Sequence, residues 1–432
     1  MHTSDVSLAP RTVLLADADG VVQVIVAADD LLDLKQLEAF TGRPLKPLNQ
    51  QDVLRAHRRR ELAPIDGSRH CFAVPTIVDQ RLTDRNPQRM EADRLTIDEI
   101  CALLRQRDLP VQQTRCTVAD SQLRHKLPEP DQDKVQIRHS IQNFTTLRIR
   151  QRLEETLEIP PLSPTAERIL QLRANPHASA NELTAIVESD PSLAAQVVSW
   201  ASSPYYAAPG RVASVRDAIV RVLGFELVSN LAVGLVLSKS LAIPADRGDG
   251  IPPYWGQAVY CSMGVETLMR LLPPAQRPRQ GLMYLTGLLH NFGYLVLAHT
   301  FPPHFSSIRR HIQANPTISH IAVEYHILGI SREQIGAWLL QAWRMPEEVV
   351  AGVRHQHDPD YAGTHAVYPN LIYMAQRLLH EHGIGDAPSD AIPDELFSRY
   401  GLRATVCREA IGQLVQSREA TAIADQMSVG TN

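Results

Sequence analysis

The stretch Leu285-Thr286-Gly287-Leu288-Leu289-His290-Asn291-Phe292-Gly293 constrains this chain more than any other. Apolar residues recur at Leu282, Leu285, Leu288, Leu289, Phe292, Val296 and Leu297, the spacing of one helix face. That spacing predicts a core helix over 281–299 with a His-Asn pair in its middle. A polar pair so placed needs either buried partners or a ligand.

The pattern around it is helical almost throughout. Asn181 is read as the cap of one short helix, and Asp190-Pro191 opens the next, an N-cap followed by proline at the first helical position. Ser214 opens a third that Gly224 closes. Further helices are predicted over 226–241, 254–272, 301–314, 318–328, 332–343 and 346–357, with 369–382, 393–400 and 405–427 in the tail. No period-2 strand interrupts this run, so an all-α domain with its own core follows.

The first part of the chain is different. Residues 12–15 and 21–26 are β-branched-rich runs joined by Asp17-Ala18-Asp19-Gly20, a hairpin signal. Helices over 31–40 and 51–62 and short strands over 71–74 and 76–78 complete a small α+β unit at 10–84. Thr96 and Glu99 make a capping box for a helix over 96–107. Residues 108–137, with Pro110, Pro128 and Pro130 among polar residues, read as an extended linker, and a helix resumes over 138–157. The predicted organisation is an α+β domain at 10–84, a helix and linker region at 85–158, an all-α domain at 159–366 and a helical extension at 367–432.

Composition narrows the function classes. A length of 432 residues suggests two or three domains, and 44% hydrophobic with 21% charged residues is ordinary for a soluble globular protein. The formal charge of -4 gives no basic field, so nucleic-acid binding gains no support. The five cysteines are odd in number and contain no CxxC pair, which points to reduced thiols and a cytoplasmic location. No signal peptide is read at the N-terminus. No continuous apolar run approaches the roughly 18–20 residues of a membrane span, so no membrane association is expected. The run His57-Arg58-Arg59-Arg60 is first a solvated helix face, with Arg58, Arg59 and Arg60 as a phosphate- or RNA-contacting patch in the sharper reading. The glycines of Gly383-Ile384-Gly385 follow a helix and no strand, so they make no phosphate loop.

Two resemblances extend this reading. Arg11-Thr12-Val13-Leu14-Leu15, Leu31-Leu32-Asp33-Leu34, Thr41-Gly42-Arg43 and Val78-Asp79-Gln80-Arg81-Leu82 resemble, in part, the YbaK-type aminoacyl-tRNA deacylases. That family uses a lysine just before the first strand of this stretch, and Arg11 stands at the matching position. Arg is permanently charged and favours forked planar contacts, so it does not replace an ammonium group freely. The implied role is a retained fold used for sensing or docking, with deacylation as the alternative.

The second half closely resembles the HDOD family, the regulatory relatives of HD-domain phosphohydrolases. The landmarks are Pro160-Pro161-Leu162-Ser163-Pro164, Glu182-Leu183 through Ser192-Leu193, Ala218-Ile219, Leu223-Gly224-Phe225, Gly287 through His290 with Gly293, Gly336 through Leu340 with Trp343 and Pro346, and His357-Asp358-Pro359. The resemblance locates where a hydrolytic HD site would sit. Gln257 stands at the first His, His290-Asn291 at the His-Asp pair, Arg332 near a further His, and Gln356-His357 at the closing His-His element. A hydrolytic site needs several imidazoles and a carboxylate to hold its divalent ions. Gln and Asn are neutral amides and Arg332 adds repulsive charge, so no metal and no cofactor are expected. His355 with His357, and His380 with His382, lie two apart, which on a helix turns the rings away from one another.

The expectation is a bacterial signal-transduction protein that acts through protein partners and catalyses nothing. The alternatives are an enzyme, either a deacylase or a phosphohydrolase, and a receptor whose residual pocket holds a small nucleotide without turnover.

Overall fold

A computed structural model describes residues 10–48, 50–58, 62–65, 68, 70–84, 95–123, 130–144, 163–203, 206, 210–240, 254–388, 390–418, 420–422 and 424. The chain forms two compact units. One gathers Met1–Lys126 and Pro303–Ile327 with Gly248–Gly250, and the other gathers Leu127–Arg247, Ile251–Pro302 and Leu328–Asn432.

The first unit begins with the expected hairpin, β1 (Pro10–Asp17) and β2 (Gly20–Ala27), paired antiparallel along their whole length. There follow β3 (Leu31–Leu32), α1 (Leu34–Thr41), β4 (Lys46–Pro47), α2 (Gln50–Arg58), β5 (Thr76–Asp79), α3 (Gln80–Asp84), α4 (Ile97–Gln106), β6 (Val111–Thr114), β7 (Thr117–Val118) and α5 (Asp120–Leu123). The main sheet runs β4-β1-β2-β5-β6, with β5 parallel to both of its neighbours. Alternation along β2 sends Val22, Val24 and Val26 into a core with Leu34 and Leu37, and Ile25 and Ala27 into a second core with Ile100 and Leu104. The strand is apolar on both faces because helices cover both.

Several expectations need correction here. The helix expected over 31–40 is preceded by a strand: Leu31–Leu32 pairs with Thr117–Val118, and Asp33 caps α1 by accepting from Lys35 N and Gln36 N. Residues 71–74 form no strand; Phe72 makes a single bridge with Pro64. Residues 108–137 are not an extended linker, since they hold β6, β7, α5 and the start of a long helix. Arg58 lies exposed in the last turn of α2, and Arg59 and Arg60 lie outside the described residues.

The second unit holds α6 (Pro130–Phe144), α7 (Pro164–Ala174), α8 (Ala180–Glu188), α9 (Pro191–Ala201), α10 (Val215–Asp217) continued by a π-helical turn (Ala218–Leu223), α11 (Gly224–Ser240), α12 (Tyr254–Leu271), α13 (Gln280–Leu289) and α14 (Phe292–Thr300). The chain next gives α15 (Pro302–Ala314) and α16 (His320–Leu328), nearly all of which belong to the first unit. It returns with α17 (Arg332–Ala342), α18 (Glu347–Arg354), α19 (Val367–His380), α20 (Asp394–Arg399) and α21 (Ala404–Gln416). The caps at Thr96, Asp190 and Ser214 are as read from sequence, whereas α8 is capped two residues before Asn181, by Ser179 in a box with Glu182. Two stretches, Val215–Val236 and Gln280–His299, are long and apolar enough to cross a membrane, contrary to expectation. Isolated polar residues break each run to the eye without lowering its mean hydropathy below 1.2, and the second stretch is 94% buried as the core of its unit.

Within the first unit, the turn between α15 and α16 docks through side chain-to-backbone hydrogen bonds. The Asn315 amide accepts from Leu32 N at 2.7 Å and donates to Leu32 O at 3.0 Å, pairing with β3 as a strand would. Arg11 donates to Ala314 O at 2.8 Å, Asn315 Oδ1 at 2.6 Å and Asp30 O at 3.2 Å. Leu34 N donates to His311 Nε2, so His311 carries its proton on Nδ1 and gives it to Ser307 O. His326 Nε2 lies 3.0 Å from Asp33 Oδ2, and Arg310 reaches Glu38 at 3.4 Å.

Candidate functional site: a polar junction at a broken core helix

The His-Asn pair does not lie inside one helix. α13 ends at Leu289, α14 begins at Phe292, and His290 and Asn291 form the junction. In an unbroken helix His290 O would accept from Tyr294 N. Here Tyr294 N bonds Asn291 O instead, and His290 O accepts from Gln356 Nε2 at 2.6 Å. The amide at the closing His-His position therefore helps hold the break open. Gln356 Oε1 in turn accepts from Gln376 Nε2 at 2.5 Å.

The junction is tight because two glycines let α14 and α17 meet. A Cβ on Gly293 would lie 1.7 Å from Arg332 O, and one on Gly336 would lie 2.8 Å from Gly293 N. This crossing carries the Arg332 side chain across to the pair. Arg332 Nη1 donates to Asn291 Oδ1 at 3.2 Å and to Asp386 Oδ2 at 2.5 Å, and its guanidinium lies 5.0 Å from the Tyr294 ring centroid. Arg332 is 2% exposed, so this is a buried cation, and Asp386 supplies it with a carboxylate partner.

His290 is buried, and its Nδ1 lies 2.7 Å from Gly287 O. A carbonyl only accepts, so Nδ1 carries the proton and Nε2 keeps its lone pair. Burial pulls the imidazole down to about 4, well below its ordinary value, and the ring is neutral at pH 7. With Gln257, Cys261, Gln376 and Asp386, His290 lines a cavity of about 10 Å³. That is room for about one water molecule.

Five of the six positions singled out from the HD pattern meet at or beside this junction: Gln257 and His290 in the cavity, Asn291 and Arg332 bonded to each other, and Gln356 bonded to His290. The sixth, His357, lies 3.4 Å from Glu333. His355 and His357 fall beyond the end of α18, not on one helix as expected, and His355 stacks on Tyr361 with ring centroids 3.9 Å apart. The electrostatics disfavour a divalent ion at the cavity. Its carboxylate is engaged by Arg332, its imidazole is single, and its two amides are poor ligands for a transition metal.

The HDOD domain matches residues 159–359. Over 99% of its length the chain is 40% identical to a protein of Marinobacter aquaeolei VT8 assigned to signal transduction, covering 95% of that chain with a TM-score of 0.85. The chain belongs to the HDOD family. This HDOD protein also shares its fold with a protein of Shewanella amazonensis SB2B assigned as a phosphohydrolase, at 18% identity, 65% and 97% coverage and a TM-score of 0.50. A Treponema pallidum (strain Nichols) protein is 24% identical over 269 residues, and the HDOD protein spans about half (49%) of that relative's length.

Two residues of the HDOD protein's junction escaped the sequence reading. Asp386 sits in the tail, after Gly383 and Gly385, both at positive φ, and looks solvated in sequence. Gln376 lies on the buried face of α19. The available signal for Asp386 was charge balance: a buried Arg332 demands a carboxylate from somewhere.

Proposed function

We propose that this HDOD protein is a non-catalytic regulator of bacterial signal transduction, acting in the cytoplasm through protein partners and without a resident metal. The observation that carries this reading is the Arg332 guanidinium bonded to Asn291 and Asp386 where a hydrolase would bind divalent ions. A buried, permanently charged group at that place repels a second cation and occupies the nearest carboxylate. The sequence relationship to the Marinobacter aquaeolei VT8 protein supports the same role. Five free cysteines, all buried, suit a reducing compartment.

The N-terminal unit is, in this proposal, a YbaK-type scaffold kept for docking or sensing. Arg11, the position matched to the deacylase lysine, is spent on Ala314 O, Asn315 and Asp30 O. Burial draws its guanidinium down to about 10, against the pull of Asp30 and Asp29, and it remains a cation at neutral pH. A group so engaged holds structure together and is not presented to a substrate. A nucleotide in the cavity of the second unit is disfavoured by size, since ligand pockets run to roughly 300 Å³ or more.

The test is metal analysis and phosphodiester hydrolysis by the full chain after incubation with Mn, Fe or Ni. The expected result is sub-stoichiometric metal and no turnover above buffer. Stoichiometric metal with phosphodiesterase activity that disappears in Asn291→Ala would overturn the proposal.

A further inference from the structure

Helix α19 carries an arginine whose hydrogen-bonding capacity is mostly unused. Arg377 is 5% exposed, and its Nε and Nη1 are sealed from solvent with no hydrogen-bond partner. Its Cζ lies 3.5 Å from the ring centroid of Tyr373, one turn earlier on the same helix. That contact engages the face of the guanidinium and leaves its N–H edges unengaged. Among the described residues its carboxylate contact is Asp390. There Nη2 lies 3.7 Å from Oδ2, longer than a hydrogen bond, and the Asp390 side chain is 74% exposed. Arg11, by contrast, gives its donors to three acceptors.

Asp390 belongs to the connection between α19 and α20, residues 381–393. The same connection supplies Asp386 to Arg332 and lays Ile384, Gly385, Asp386 and Ala387 along the His290 cavity. Its two aspartates are unequal. Asp386 is hydrogen-bonded at 2.5 Å, whereas Asp390 only faces its arginine. An ion pair so exposed contributes little, so Asp390 is a placeholder for a better acceptor. Both forks of the guanidinium, Nε with Nη2 and Nη1 with Nη2, have an idle member. A carboxylate drawn within hydrogen-bond distance of Nη2 completes one of them. The surrounding charge limits which anion fits. Burial raises the Tyr373 phenol, Arg377 opposes that, and Asp390, Asp360 and Asp358 raise it further. One cation beside three carboxylates supports a single added negative charge and repels a dianion.

We propose that Arg377 is an effector site for the carboxylate of a small monoanionic ligand, which displaces Asp390 and takes up the unused donors. Its arrival frees the Asp390 end of a connection whose earlier residues wall the His290 cavity, so an external carboxylate acts on the junction through four residues of backbone. This rests on the regulatory reading and names its input. Its test reads neither metal nor hydrolysis, so the two fail separately.

Acetate is the probe, titrated into the full chain at constant ionic strength against chloride. In the wild type, hydrogen exchange of 386–391 is expected to rise about threefold or more with acetate, while α12 and α13 stay unchanged. Asp390→Ala vacates the position without removing a buried side chain, and in that chain acetate should raise the thermal midpoint by filling the gap. The double variant Asp390→Ala, Arg377→Met reports general salt effects and should lack the acetate-specific shift. Arg377→Lys in its place keeps the charge, loses the fork and is expected to lose most of the shift, and it serves if the methionine variant fails to fold. Sulfate, a dianion, should give no shift beyond the double variant's. The proposal is overturned if acetate shifts the Asp390→Ala chain no more than the double variant, if sulfate acts as acetate does, or if exchange of 386–391 in the wild type is indifferent to acetate.

Discussion

Gly293 has no room for a methyl group. Its missing Cβ would fall within bonding distance of Arg332 O, which is rigid backbone and cannot rotate aside. Gly293→Ala is expected to force α14 away from α17 and destabilise the second unit by about 3 kcal/mol. A denaturant titration should show a lower midpoint with an unchanged slope. His290 supplies a pH dependence of known sign. Burial holds its folded value at about 4, below the unfolded value near 6.5, so the unfolded chain binds the proton more readily. Its contribution is complete above about pH 6.5 and is lost progressively as pH falls toward 4, amounting to roughly 3 kcal/mol at full shift. His355, also lowered by burial to about 4, adds in the same direction. The stability lost between pH 7 and pH 5 should be smaller in His290→Gln than in wild type, and equal losses would remove His290 from the account. Sequence made the glycines and the His-Asn pair visible as places of constraint. It could not show that the pair breaks the helix, because the group that captures His290 O is Gln356, a residue 66 positions further along the chain.

Elements were legible where their signals are local. Caps at Thr96, Asp190 and Ser214 depend on residues within one turn, and they stand where sequence put them. β6 was missed because Gln112 and Gln113 are exposed and its pairing is parallel, with a partner more than thirty residues away. The sequence places only the first half of α6 in a linker, because Pro130 reads as a breaker, although proline at the first helical position starts a helix well. The α15–α16 hairpin is the clearest case of a non-local cause. Its periodicity says that one face is buried and not what buries it. Asn315→Ala would strip Leu32 of both backbone partners and Arg11 of one acceptor, at a cost of about 1–3 kcal/mol. Differential scanning calorimetry on the full chain should place that loss in the first unit. An unchanged transition would mean water satisfies Leu32 as well as the amide does.

At the scale of the molecule, the order of elements was readable and their grouping was not. A mixed α+β region followed by a large helical domain is what the hydrophobic periods predict, and it is what the chain forms. The last strand, β7, ends at Val118, but the contacts send residues 303–327 back to the first unit. This has a consequence for biogenesis. Arg11 closes on Ala314 and Asn315, about three hundred residues later in synthesis. At about 5–20 residues per second, the ribosome takes some 10–40 s to travel from the end of the N-terminal segment to the hairpin that completes the unit. Throughout that interval the hydrogen-bonding edge of Leu32 and the Arg11 guanidinium wait for partners not yet made. The β3 edge, made early in this stretch of chain, is thus among the last parts of its unit to be completed, because its hydrogen-bonding partner arrives only with Asn315.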